Sequence, residues 1–151
     1  MTQLLLDTHA LLWWLAEPDR LSPAAYAAIS DPATSVVVSA ASGWEIATKV
    51  RLGKLPAARE LLDDLPGLLA AQGFQLLPIT LQQGLHAGSY PMPHRDPFDR
   101  LLAAQAELAM LTLVSLASAS VVLLQASLVA ASALFSSGSH GRWIGGRRWR
   151  R

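Results

Sequence analysis

The sequence predicts an α/β domain built around one parallel sheet, and three observations predict it. Apolar strand-like runs alternate with helix-like segments, and each strand run is continuously apolar rather than alternating. The 151 residues, 52% of them hydrophobic, also suffice for a single buried core. A strand apolar on both sides must be covered on both faces, which is the environment of a parallel sheet.

The elements follow in order. QLLL (3–6) is a first strand; after Asp7 and Thr8 comes HALLWWLAE, with helical spacing. LSPAAYAAISDP (21–32) reads as a short helix, with Pro23 near its start and Asp31-Pro32 as its stop. SVVVS (35–39) is a β-branched second strand, and ASGWEIATKVRLGKL continues as a helix that ends at Gly53. Ser42-Gly43-Trp44-Glu45 fits a capping box at the start of that helix. AARELLDDLPGLLAAQ reads as helix broken at Pro66, and FQLLPI (74–79) as a third strand. A short helix, TLQQGLHAG, and a proline-rich loop, SYPMPHR, lead to a helix over 96–110 and a fourth strand, LTLVS (111–115).

Composition narrows the function. A chain this apolar, with 15% charged residues, is not a disordered tail. It has no cysteine, which excludes disulfides and thiolate metal sites and agrees with a reducing cytoplasm. The amino-terminal segment lacks a basic region and meets Asp7 and Glu17, so it is a poor secretory signal. Charge is divided unevenly: residues 1–110 hold 11 acidic and 7 basic side chains, a net −4, whereas 111–151 hold 5 arginines and no acid.

The acids fall where strands hand over to helices, the edge at which open α/β sheets bind ligands. Asp7 follows the first strand, Glu45 lies in the helix after the second, and Asp96 and Asp99 open the helix before the fourth. Each also suits a helix amino-terminus: Asp96 as a cap, Asp7 or Thr8 as another. Convergence at one sheet edge is what caps alone do not explain. Close carboxylates repel, and a divalent cation is the usual remedy; an all-oxygen donor set suits Mg²⁺ or Mn²⁺ rather than zinc.

LLLDTHALLWWLAEPDRLS, VVVSAASGWEIATKVRLGKL, LLPIT and HRDPFDRLLAAQA together resemble a PIN-domain ribonuclease, specifically the VapC-type toxins of bacterial type II toxin–antitoxin pairs. The resemblance spans residues 3–115 and implies a three-layer PIN-like domain over 1–115. It matches Asp7, Glu45 and Asp99 to the family's catalytic, metal-binding acids, with Asp96 as a supporting acid or cap. It implies a Mg²⁺- or Mn²⁺-dependent endoribonuclease, with the ion held by Asp7 and Asp99 and with Glu45 orienting or deprotonating the attacking water. It further implies a homodimer, a small VapB-type antitoxin partner and an RNA substrate.

Around these acids, Thr8 is a candidate hydroxyl contact, and Arg95 and Arg100 either hold phosphates or pair with Asp96 and Asp99. His94 suits proton transfer or an exposed loop. Lys49, Arg51 and Lys54 either offset the dipole of their helix or meet RNA. Trp13 and Trp14 divide between core and partner contacts.

The ending departs from the family. An aspartate is expected two residues beyond the serine or threonine that follows the fourth strand; Ala117 stands there, and no acid follows Glu107. Loss of that acid weakens a second-ion position. Residues 116–151 form an atypical carboxy-terminal segment. The uncharged stretch 111–135 has the length of a membrane span, but its serines, threonine and glutamine favour a buried helix in place of the family's last strand. The Arg- and Trp-rich tail, GRWIGGRRWRR, reads either as an RNA grip or as out-of-frame translation.

Overall fold

The computed structural model describes residues 2–90, 96–117 and 120–125. Strand β1 (Gln3–Leu6) leads into helix α1 (Thr8–Ala16), and a 3₁₀ turn (Pro18–Arg20) leads to α2 (Pro23–Ser30). Strand β2 (Ser35–Ser39) feeds α3 (Ala40–Arg51). Two further 3₁₀ turns (Pro56–Ala58 and Glu60–Leu62) precede α4 (Leu65–Ala71). Then come β3 (Gln75–Leu77), α5 (Leu81–Ser89), α6 (Pro97–Leu108), β4 (Thr112–Ala117) and β5 (Ser120–Gln125).

The strands form one sheet in the order β3-β2-β1-β4-β5, parallel except for β5. Registers Leu6↔Val38 and Leu6↔Val114 align the carboxyl ends of the three central strands. Alternation of side chains across the pleat then divides the core in two. Leu4, Leu6, Val36, Val38 and Val114 pack on one face with Leu11, Ile46, Leu65 and Leu69. Leu5, Val37 and Leu113 pack on the other with Leu102 and Ala106 of α6. The α/β three-layer class is therefore as the sequence implies. Each fully buried leucine of this core contributes about 1.5–3 kcal/mol relative to exposure. On α6 the buried Ala103, Ala104 and Ala106 keep the helix close to its neighbours.

Several elements differ from expectation. The segment expected as a helix broken at Pro66 is two 3₁₀ turns followed by α4, because proline suits the first helical turn and Asp64 caps it through Gly67 N. The cap of α3 is Ser39, whose hydroxyl accepts from Ala41 N at 3.0 Å, so Ser42-x-x-Glu45 is not its capping box and Glu45 lies in the second turn. Gly53, at φ 67°, ends that helix as expected, in the left-handed conformation a glycine adopts without strain.

The largest correction concerns the segment after β4, where residues 120–125 form a strand rather than part of a buried helix. Two residues separate β4 from β5, too few for a crossover, so β5 returns antiparallel and covers the outer edge of β4. No helix of the described residues is long and apolar enough to cross a membrane. The chain beyond Gln125, with the Arg/Trp-rich tail, lies outside the described residues.

Candidate active site

The site is built at the carboxyl ends of β1 and β2. Asp7 follows β1 directly; its backbone N donates to Val114 O at 3.0 Å, tying it to β4. Its Oδ1 accepts from Ala10 N at 2.6 Å, so Asp7, not Thr8, caps α1. Thr8 is thereby released from capping, and its hydroxyl donates to Glu45 Oε2 at 2.5 Å. Asp7, Thr8 and Glu45 are all buried.

Glu45 is held from its other side by Lys49, one helical turn on, whose Nζ donates to Oε1. A buried carboxylate needs such partners to stay ionised. Sequence reasoning placed Lys49 near the end of its helix, to offset the dipole or meet RNA, and did not foresee its pairing with Glu45. The Glu45–Lys49 spacing of four on one helix was the available signal.

Across from α3, Asp96 caps α6 through Phe98 N at 2.9 Å, and Asp99 follows three residues on in the first turn. Burial pushes the Asp99 carboxyl up to about 8; the charges of Asp96, Glu45 and Asp7 push the same way, and Lys49 opposes them. Asp99 is thus within electrostatic reach of the other three acids predicted from the sequence, two of which, Asp7 and Asp96, also cap helices.

The other candidates are placed differently. Arg100 is half-buried and donates from Nη2 to Tyr90 O at 2.7 Å, bracing the end of α5. His94 and Arg95 lie outside the described residues. Trp13 is core, with Arg20 over its ring at 4.6 Å, while Trp14 donates from Nε1 to Gln72 Oε1 at 2.9 Å. Ser115 is buried one residue past the Leu6↔Val114 pair, level with Asp7, and Ala117 closes β4.

A hydrogen-bonded frame holds the two acid-bearing helices. Ser39, the cap of α3, donates to Gln105 Oε1 at 2.5 Å. Gln105, fully buried on α6, donates from Nε2 to Pro78 O and Gln83 Oε1, both at 3.1 Å. One amide therefore links the helix of Glu45, the helix of Asp99 and the start of α5.

Residues 4–117 match the PIN domain. The chain belongs to the PIN-domain family. Among curated PIN proteins it is 37% identical over 107 residues to Ribonuclease VapC22 of Mycobacterium tuberculosis, covering 70% of this chain and 80% of that protein. That places it with the VapC-type PIN ribonucleases. The fold is shared with a crystal structure of VapBC2 from Rickettsia felis bound to a DNA fragment from their promoter. The match has a TM-score of 0.52 at 14% identity, over 76% of this chain and 86% of that one.

The donor set bears on whether a divalent ion fits. Among the described residues, no three or more His, Asp or Glu side chains are grouped so that they could hold a metal ion between them. Carboxylate oxygens are the donor type that a hard cation takes while keeping part of its water shell. The raised Asp99 carboxyl reflects burial first and the charges of Asp96, Glu45 and Asp7 second, with Lys49 partly offsetting them.

Proposed function

We propose that this PIN protein is a Mg²⁺- or Mn²⁺-dependent endoribonuclease, the toxin of a toxin–antitoxin pair restrained by a VapB-type antitoxin. The observation that carries the reading is that the buried Asp99 feels the charges of Asp96, Glu45 and Asp7, while Glu45 is held by Thr8 from the turn after β1. The similarity to Ribonuclease VapC22 supports RNA as substrate, and the fold likeness to a VapBC pair supports the antitoxin.

Asp7 and Asp99 are the residues that would hold the ion, Asp7 fixed by its capping bond and Asp99 by the first turn of α6. Bound there, Mg²⁺ or Mn²⁺ supplies Lewis-acid stabilisation of charge developing on the phosphate and acidifies water. Glu45 serves as the base. Thr8 fixes its Oε2 side and Lys49 its Oε1 side, so that the carboxylate is oriented to accept a proton from the attacking water. Asp96 anchors the amino-terminus of α6, so that Asp99 keeps its place.

The test is cleavage of a structured RNA pool by purified protein with Mn²⁺ or Mg²⁺, against an EDTA control. Cleavage is expected to need the ion and to fall by about 100-fold or more in both Asp7→Asn and Asp99→Asn, the scale set by loss of a transition-state electrostatic contact. Equal inertness of wild type and variants, with antitoxin still bound, would instead make this a PIN-fold antitoxin binder that Ala117 has left without chemistry.

A further inference from the structure

Trp44 and Phe98 each precede an acid of the site, Glu45 and Asp99 respectively. Their rings meet edge to face, with centroids 4.7 Å apart and planes at 70°. The contact joins α3 to α6 beside the carboxylates. Trp44 is nevertheless 55% exposed, whereas its neighbour Glu45 is 4% exposed. Among the described residues the other exposed aromatic is Tyr26 of α2, at 48%, which packs on Trp14 away from the acids, while Leu76, Leu81, Leu85 and Met110 are aliphatic.

Charge at this edge works against a polyanion. Asp7, Glu45 and Asp96 put negative charge where a phosphodiester would approach, and Lys49 is already on Glu45. Affinity for RNA beside the acids therefore has to draw on contacts that do not depend on charge. An aromatic face supplies one, because every base has a π-face and stacking tolerates any sequence. In a duplex the base faces are already stacked, so the matching ligand is an unpaired nucleotide. The edge-to-face contact with Phe98 holds the indole in one orientation and leaves over half of it open to such a base.

We infer that Trp44, steadied by Phe98, is a base-stacking subsite that takes an unpaired RNA nucleotide next to the scissile phosphate. The inference rests on the ribonuclease reading and deepens it: it names the side chain that would hold a base beside the acids.

The experiment measures fluorescence anisotropy of a short, labelled, unstructured oligoribonucleotide and of its duplex, in EDTA. Wild type is compared with Trp44→Leu, Trp44→Gln, Trp44→Phe and Phe98→Leu, and cleavage kinetics of the single strand follow in Mn²⁺. Loss of one stacking contact is expected to weaken single-strand binding roughly 10-fold in Trp44→Leu and Trp44→Gln, with Trp44→Phe retaining most of it. Phe98→Leu falls between, duplex binding changes little, and the cleavage defect lies in KM rather than kcat. The exposed position of Trp44 allows both the leucine and the glutamine variants to fold, and matching thermal melts verify it. Wild-type affinity in both variants overturns the stacking subsite while leaving the ribonuclease intact. A wild type that neither binds nor cleaves the strand overturns both.

Discussion

Asp99 is the side chain least at ease in its surroundings, and its acid–base behaviour gives a direct prediction. Without metal its carboxyl titrates at about 8, raised by burial and then by Asp96, Glu45 and Asp7. In the unfolded chain the same group ionises in the ordinary carboxylate range. Between those two points the native state keeps a proton that the unfolded state has lost, so stability falls as pH rises through the window and levels off above about 8. Melting temperatures in EDTA should show that slope, and Asp99→Asn should flatten it. Mn²⁺, binding the ionised form, should stabilise more as pH rises toward 8. A slope unchanged in Asp99→Asn would assign the titration to another group. The residue-scale logic of Asp7-Thr8 is similar: the acid caps, and the hydroxyl is freed to hold Glu45.

At the scale of elements, α5 and α6 are joined by polar contacts at two levels. One is the Ser39–Gln105–Gln83 frame. The other is Glu107, which accepts from Tyr90 Oη and pairs with His86 Nε2, each at 2.8 Å. The His86 bond and then the Tyr90 bond hold the Glu107 carboxyl below its usual range, while burial and Glu107 push the Tyr90 hydroxyl up. Gln105 is the more consequential, since replacing it leaves the buried Ser39 hydroxyl, which still accepts from Ala41 N, without an acceptor for its proton. Gln105→Leu is expected to cost about 1–3 kcal/mol in urea unfolding, the penalty of leaving a buried polar group unpaired. Loosening α6 against α3 should also weaken Mn²⁺ binding, measured by calorimetry on the folded variant. Unchanged stability would mean that the amide is not needed to satisfy the frame.

For the whole molecule, the sheet edge matters most. β5 pairs with β4 from Thr112↔Gln125 to Ala117↔Ser120, and so covers a strand that would otherwise present its backbone to other chains. Ending the chain after Ala117 should yield protein that associates through that edge, read as a larger, concentration-dependent species by sedimentation. A truncated chain that stays monomeric and melts with the full-length protein would show that β4 needs no cover. Deleting β5 leaves Asp7, Glu45 and Asp99 in place, which separates this outcome from loss of the site itself.

What the sequence determined by itself was local and periodic. The continuous apolar runs at 3–6 and 35–39 define strands covered on both faces, and the spacing of acids after them places carboxylates at one sheet edge. Proline and capping residues marked most helix starts, Asp96-Pro97 among them. The tertiary structure decided what depends on partners distant in the chain. Thr8 and Glu45, 37 residues apart, share a hydrogen bond, and Ser39 and Gln105, 66 apart, form the frame beneath the acids. The uncharged stretch after β4 carried no period strong enough to separate helix from strand. The unpaired edge of β4 settled residues 120–125 as β5, because a backbone that must be hydrogen-bonded takes the partner that the fold leaves open.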